Sequence, residues 1–372
     1  MNICIFLLLV VIVFVLVFPG SAFSEVRGLW VVRNNIVKPD SIRQLVDFAD
    51  RNNFNTLFVQ IRGRGDAYYK SRFAPGPENY PDISDSFDPL AELIDKAHSR
   101  GIEVHAWFNM YLTWSSPESP VDPQHPVNRH PEWFMVSRNG LDTGTASIQS
   151  FASSTVEGRY LSPGLESVRL YLSRIISEVT MNYDVDGVHL DYVRYPGRDY
   201  DFNVVCRNKF KMRFGIDPID IVNGNSEIDP DLKILQKWAD YRVELIDSNV
   251  KDIARRIKLL NKNIKLSAAV KPHPDEAYFE YGQNWAGWLN EGVVDFVVTM
   301  SYFPENNDFS KILNYSLKKV DRQKVIGGIA LYMMDARKAS EQITLTRNMG
   351  LLGYCLFSYD TIINNSSYKN GL

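Results

Sequence analysis

The amino-acid sequence predicts an α/β fold, a closed (β/α)8 TIM barrel with parallel strands. Apolar runs of strand length alternate with segments of helical period along the chain, and eight such runs can be counted. Strict alternation is typical of a parallel sheet with crossover helices, and eight units suggest closure into a barrel. An open doubly wound sheet is the competing fold, but its glycine-rich phosphate turn is not found after the first strand.

The first half of the chain contains four of the predicted strands. They are VRGLWVV (26–32), NTLFVQIRGRGDAYY (55–69), IEVHAWFNMYL (102–112) and VDGVHLDYV (185–193). Helices are predicted between them, and the first begins at Asp40 or Ser41 as its N-cap residue. A long irregular stretch, rich in Pro, Ser, Gly and Thr, follows the third strand from about residue 113 to residue 161.

The second half repeats the same rhythm after an extended loop and helix insertion behind the fourth strand. The strands are IKLSAAVKPH (264–273), VVDFVVTMSYF (293–303), KVIGGIALY (324–332) and GYCLFSY (353–359). We expect residues 25–362 to form a single barrel domain and residues 363–372 to form a polar tail.

The first 24 residues differ in character from the rest of the chain. They are strongly apolar and end in Pro19, Gly20 and small residues, and Ala22 and Ser24 fit a small-x-small cleavage site. This pattern predicts a signal peptide. Because Lys and Arg do not precede the apolar run, an uncleaved N-terminal anchor is the alternative. Either interpretation predicts export to the periplasm or the extracellular space.

The composition argues against several classes of binding partner. A net charge of −3 with 23% charged residues is typical of a globular protein, and a slightly acidic chain argues against nucleic acid. No histidine pair has metal-ligand spacing, and no serine lies in a G-x-S-x-G elbow. We predict no metal and no other cofactor. We expect a monomer that meets a membrane only through an uncleaved N-terminal segment.

The fourth predicted strand carries the first candidate for catalysis. Strand side chains alternate, so His189 and Asp191 point together into the barrel, and Asp191 lies at the C-terminal end where barrel enzymes have their sites. A buried carboxylate needs a partner, which could be His189, Arg194 or an arginine of the second strand. A glycosidase uses such a carboxylate as nucleophile or base, beside a protonated second carboxyl. A purely structural Asp191 is the alternative.

The sequence leaves the second carboxyl open. Glu305 after the sixth strand is the first choice because of its reach, and Asp360 after the eighth strand, Asp66 and Glu276 are other options. The other polar and aromatic residues near the strand ends are candidates for holding the substrate. These candidates are Arg62, Asp66, His105, Trp107, Asn109, His189, Tyr192, Arg194, Lys271, Tyr302, Tyr332 and Tyr359.

Several segments resemble the family-10 glycosylhydrolase-like proteins, exported bacterial barrels distinct from the xylanases. They are RGLWVV, FVQIRGRGDAYYKSRFAP, DPLAELIDKAHSRGIEVHAWFN, LSPG and DVDGVHLDYVRYP, and the resemblance runs from about Val26 to Tyr359. It implies a (β/α) barrel that hydrolyses glycosidic bonds in peptidoglycan glycan strands or other polysaccharides. Asp191 matches the position of an aspartate nucleophile in large retaining glycosidase barrels. The glutamate of chitinase-type barrels is replaced by Val193.

Two other functions are compatible with the same residues. A carbohydrate-binding barrel without catalytic activity would keep the aromatic residues at the strand ends and lack the second carboxyl. A polysaccharide deacetylase or esterase would act on the same polymers, although deacetylases usually need a His/Asp metal set that is not visible in the sequence. A polysaccharide or other glycan is the expected partner in each case.

Overall fold

A computed structural model describes residues 25–83, 86–153, 156–222, 232–260 and 263–368, so the predicted signal peptide or anchor lies outside the described residues. The strands are β1 (Val26–Val31), β2 (Thr56–Arg62), β3 (Glu103–Asn109), β4 (Leu112–Trp114), β5 (Arg159–Tyr160), β6 (Gly187–Asp191), β7 (Lys265–Val270), β8 (Phe296–Met300), β9 (Val325–Ala330) and β10 (Gly353–Phe357). Eight of them close a barrel in the order β1-β10-β9-β8-β7-β6-β3-β2. All neighbours in it are parallel, which confirms the predicted (β/α)8 barrel.

Helices connect the strands around the outside of the barrel. They are α1 (Pro39–Arg51), α2 (Pro89–His98), α3 (Pro126–Arg129), α4 (Glu166–Asn182), α5 (Val204–Phe214), α6 (Pro218–Val222), α7 (Leu232–Leu259), α8 (Pro274–Tyr281), α9 (Trp285–Asn290), α10 (Asn306–Ser316), α11 (Ala336–Asn348) and α12 (Tyr359–Asn364). The N-cap of α1 is Lys38, not Asp40 or Ser41. The helix begins earlier because a proline at the first helical position already has the φ angle of a helix. None of the helices in these ranges has the length and apolar character that crossing a bilayer requires.

The core has two layers because strand side chains alternate between the two faces of the sheet. The outer layer lies between the strands and the helices and is the larger one. The inner layer fills the barrel and includes Trp30, Phe58, Trp107 and Phe296. The barrel interior is therefore a packed core. A ligand can bind only at the mouth of the barrel, the end where the strands have their C-terminal residues.

Two long connections follow the C-terminal ends of β3 and β6. In the first, the irregular stretch returns to pair β5 with β4, where Tyr160 lies opposite Leu112. In the second, α5, α6 and the start of α7 enclose a small core of their own, with Phe202, Phe210 and Trp238. Both connections agree with the predicted loop and insertion, and both lie on the side of the barrel where active sites occur.

The folded region extends beyond the predicted boundary at residue 362. The last helix ends at Asn364, and a short 3-10 turn covers residues 366–368. The buried Tyr368 hydroxyl donates hydrogen bonds to the carbonyl oxygens of Leu331 (2.9 Å) and Met334 (2.6 Å). Tyr368 therefore anchors the end of the described chain on the barrel, which corrects the assignment of this residue to a polar tail.

Candidate active site

Asp191 ends β6 and lies at the mouth of the barrel, where it is paired in register with Asn109 of β3. The backbone N–H of Tyr192 donates to its Oδ1 at 2.7 Å. Tyr192 has a φ of +49°, a left-handed conformation that residues other than glycine rarely adopt. Burial raises the pKa of Asp191 to about 6, although this hydrogen bond and Arg194 act in the opposite direction.

The expected pairing of His189 with Asp191 is not observed. The His189 Nε2 accepts a hydrogen bond from the Trp30 indole (3.3 Å), and its Nδ1 lies 2.9 Å from the Ser267 hydroxyl. Burial lowers the pKa of His189 well below its usual range, so the ring is neutral and donates from Nδ1. His189 therefore belongs to the closed interior of the barrel, one layer below the mouth.

His105 also lies too deep to contact a substrate at the mouth. It is near the N-terminal end of β3, and its ring packs against Phe58 and Phe296. Its Nε2 is 3.3 Å from a carboxylate oxygen of Glu103 at the bottom of the barrel. The expectation of a binding role is corrected because only the last residues of a strand reach the mouth.

Aromatic and cationic groups surround Asp191. The buried Trp107 indole lies beside the carboxyl group and lowers its pKa, and the indole N–H has no direct hydrogen-bond partner among the described residues. Tyr302 lies within the electrostatic reach of Asp191, and its ring is 6.2 Å from that of the exposed Tyr332. Lys271 follows β7, and Asp191 contributes to its pKa. These four predicted residues lie around the carboxyl group.

Arg194 links Asp191 to a carboxyl group that the sequence analysis missed. Its Nη2 donates to Glu157 at 3.1 Å, and the Tyr160 hydroxyl donates to the other oxygen of the same carboxylate. Glu157 is about one-third exposed and raises the pKa of Asp191. It comes from the irregular stretch and reaches the mouth because β5 pairs with β4. No strand end marks this position, so the pattern gave no signal for it.

Glu305 and Asp360, the predicted second carboxyls, lie elsewhere. Glu305 directly precedes α10, is 65% exposed and pairs with Lys338 at 2.7 Å. Asp360 lies in the first turn of α12, next to Tyr359, whose ring packs on Phe48 of α1 at 5.4 Å. The chain leaves the barrel after β10, which turns residues 359 and 360 outwards. Neither carboxyl acts on the pKa of Asp191.

The remaining candidates lie on the β2 and β3 side of the mouth. A β-bulge at the end of β2 turns Arg62 out of the barrel, where its guanidinium binds the carbonyl oxygen of Asn109 and lies 5.9 Å from the Tyr171 ring. The Asn109 amide is held inside the mouth by Gly63 (2.8 Å) and a glutamine of β2. Asp66 lines a separate cleft. The Arg62 guanidinium therefore binds the backbone at the end of β3.

The arrangement around Asp191 can support acid–base chemistry. Asp191 can hold a proton close to neutral pH, and Glu157 provides a carboxylate fixed by Arg194. Two carboxyl groups in different environments are the usual basis of a paired acid and base. In the described ranges, no three His, Cys, Asp or Glu side chains come together as metal ligands.

A family model described as "Glycosyl hydrolase-like 10" matches residues 25–343. Glycosyl hydrolase YngK of Bacillus subtilis (strain 168) is 25% identical over 311 residues, which cover 75% of this chain and 54% of the relative. Glycosyl hydrolase DigH of Escherichia coli (strain K12) is 23% identical over 292 residues, which cover 72% and 59%. The chain thus spans somewhat over half of the length of these relatives.

Solved structures share the barrel. The PgaB (BpsB) glycoside hydrolase domain from Bordetella bronchiseptica superimposes with a TM-score of 0.70 at 17% identity, covering 92% of this chain and 96% of that domain. Alpha-L-fucosidase isoenzyme 2 from Paenibacillus thiaminolyticus has a TM-score of 0.61 at 14% identity, covering 90% and 46%. At these identities the likeness concerns the fold alone.

Proposed function

The chain belongs to the glycosyl hydrolase-like 10 family, and from this premise we propose that it is an exported glycoside hydrolase with Asp191 as a catalytic residue. It cleaves O-glycosidic bonds in a polysaccharide, and peptidoglycan glycan strands are the substrate class that we propose. The observation that carries the proposal is the buried carboxyl at the end of β6, on which the ion pair of Arg194 with Glu157 acts electrostatically.

Asp191 supplies the proton for the leaving group. A general acid works best when its pKa lies near the operating pH, and burial raises the pKa of Asp191 to about 6. Raising the pKa by an apolar environment is how glycosidases keep one carboxyl protonated. This role differs from the ionised nucleophile or base that the sequence led us to expect.

Glu157 is the carboxylate partner of Asp191. Its ion pair with Arg194 and its hydrogen bond from Tyr160 fix its orientation. Glu157 works on the sugar side of the glycosidic bond. It either attacks the sugar carbon directly or activates a water molecule that attacks this carbon. The separation of the two carboxyls in the glycan complex decides between these routes, at about 5–5.5 Å for retention and about 6.5–9.5 Å for inversion.

Release of reducing sugars from purified peptidoglycan glycan strands, with and without stem peptides, tests the proposal. We expect Asp191→Asn to lower the rate by about 10²–10⁴-fold, the usual contribution of general acid–base catalysis. Glu305→Gln is the matched control, because it removes a carboxyl behind another strand, and it should keep the wild-type rate. If the wild type binds these glycans without cleaving them, and Asp191→Asn binds them equally well, the barrel is non-catalytic.

A further inference from the structure

A second cleft on the mouth side contains two arginines that form no ion pair with any described residue. Arg33 comes shortly after β1, and Arg64 lies just beyond the end of β2. Together with Tyr68, Trp114 and His125 they line a cleft of about 170 Å³. The residues that follow parallel barrel strands lie at the end where substrates bind, so the cleft opens on the same end as Asp191.

The side chain of Arg64 has no polar partner in the described part of the chain. Its Nε is buried without a hydrogen bond, and its guanidinium takes part in neither a side-chain hydrogen bond nor an ion pair there. The guanidinium carbon lies 5.8 Å from the centre of the Trp114 ring. Burial and the neighbouring Arg33 lower the pKa of Arg64. A buried guanidinium N–H without a hydrogen bond is unfavourable, which indicates that a ligand supplies the missing acceptor.

The groups that surround Arg64 in the described chain leave its guanidinium without a hydrogen bond. Asp66 is the carboxylate that acts on Arg64, and its Oδ1 accepts the Arg64 backbone N–H at 2.8 Å. His125 donates from Nε2 to the Arg64 carbonyl oxygen at 2.7 Å, and burial lowers the pKa of His125. Neither Asp66 nor His125 hydrogen-bonds the Arg64 guanidinium, since both bind its backbone instead.

The other two carboxyls that line the cleft hold backbone groups of a neighbouring loop. Glu78 accepts the backbone N–H of Asp122 at 3.2 Å, and Asp122 accepts the backbone N–H of Gln124 at 2.7 Å. Both carboxyls therefore hold the wall of the cleft, and neither forms an ion pair with Arg33 or Arg64 in the described chain.

A chain of hydrogen bonds connects this cleft with the layer of Asp191. Arg33 donates to the Gln60 side chain at 2.7 Å, and Gln60 donates to Asn109 at 3.2 Å. Asn109 is the β3 partner of Asp191 in register. Gln60 is level with Trp107 and His189 in the strand register, so it lies two strand spacings, or about 10 Å, from His189 and one layer below Asp191. An oligosaccharide that is bound at Asp191 and directed towards β2 can extend to the arginines.

We propose that the cleft binds a carboxylate carried by a sugar unit of the glycan that Asp191 cleaves. A guanidinium group matches a carboxylate with two parallel hydrogen bonds, and Trp114 and Tyr68 provide faces against which a sugar ring can pack. The inference rests on the proposed function only in taking a glycan as the ligand. Binding of the carboxylate in this cleft makes the enzyme selective for acidic over neutral polysaccharides.

Titration calorimetry of the Asp191→Asn protein tests this selectivity without turnover. The probes are a tetrasaccharide from peptide-free peptidoglycan with free carboxylates and the same tetrasaccharide with its carboxyls converted to amides. We expect the carboxylate form to bind about 10- to 100-fold more tightly, as hydrogen bonds to charged groups do. Arg64→Gln should abolish the preference, and Arg64→Lys should retain part of it, because a lysine keeps the charge but loses the planar fork.

Two controls separate binding from folding. Arg72→Gln removes the same charge from an exposed position of the same loop and should leave the preference intact. Arg64→Gln should keep or slightly raise the melting temperature, because the Arg64 side chain makes no hydrogen bond or ion pair in the described chain. Equal affinity for the two probes, or a preference that survives Arg64→Gln, would overturn the inference. A wild-type protein that keeps the preference but releases no sugar would contradict the proposed hydrolysis alone.

Discussion

His189 and Asp191 lie on the same face of one strand, two residues apart, and have opposite surroundings. His189 is fully buried, and Trp30 of β1 across the barrel and Ser267 of the neighbouring β7 are the partners of its two ring nitrogens. Asp191 is 7% exposed, and the Trp107 indole that acts on its carboxyl group has no other hydrogen-bond partner in the described chain. The strand period determines which way both side chains point, but the neighbouring strands decide which of them is closed and which is open to a ligand.

Replacing Asp191 should give the largest effect and should change activity and stability in opposite directions. Its pKa is about 6 in the folded protein against an ordinary value of 3.8, so burial disfavours the charged form. The folded state therefore binds more protons, and stability falls as the pH rises from about 4 through about 6, by about 3 kcal/mol in all. At neutral pH, Asp191→Asn should lose about 10²–10⁴-fold in rate and unfold at a higher urea concentration.

The contrast between a structural His189 and a functional Asp191 would be contradicted if Asp191→Asn were less stable than the wild type at pH 7. That result would mean that the Asp191 carboxylate stabilises the fold as a partner of Arg194. Carboxylates that pair with arginines elsewhere on the surface would then be its equivalents. Urea unfolding at about pH 4 is the internal control, because both proteins are then uncharged at this position and should differ little.

Glu157→Gln should give the next largest effect. The amide keeps the size of the side chain but cannot form the ion pair with Arg194 or act as a base, so we expect a loss of about 10²-fold in rate. Glu118→Gln changes an exposed glutamate of the same irregular stretch and should have no effect. Equal rates for the wild type and Glu157→Gln, in sugar release from the same glycan, would leave Asp191 without a carboxylate partner.

His189→Ala should affect stability and not chemistry. The change leaves a cavity and removes the partners of the Trp30 indole and the Ser267 hydroxyl, which together should lower the free energy of unfolding by about 2–4 kcal/mol. Urea unfolding measures the loss, and the rate per folded molecule should stay within about threefold. A fully folded variant with a rate as low as that of Asp191→Asn would place His189 in the catalytic layer.

Trp107→Phe should give the smallest effect, and it reports on the surroundings of Asp191 at the mouth of the barrel. The indole of Trp107 lowers the pKa of Asp191, so its removal should raise that pKa above about 6. The alkaline limb of the rate profile should move to higher pH by a few tenths, with the maximal rate reduced only a few-fold. A limb that moves to lower pH would contradict the electrostatic role of the indole.

The sequence predicted the barrel and the position of Asp191 because both depend on regular patterns, the alternation of elements and the end of a strand. Arg62 was misplaced because a bulge reverses the alternation after Gln60. Tyr359 and Asp360 begin a helix that leaves the barrel, so a strand-end position did not bring them to the mouth. Glu157 could not be predicted, because the pairing of β5 with β4 joins segments with no common period.

The pH dependence of the initial hydrolysis rate, measured for the wild type and Asp191→Asn on the same glycan from about pH 4 to about pH 8, tests the central claim most directly. If Asp191 acts as the protonated acid, the wild-type rate falls about tenfold per pH unit above about pH 6, and the slow variant lacks this limb. A variant that keeps the wild-type rate, or that shows the same limb, would contradict the assignment of Asp191 as the catalytic acid.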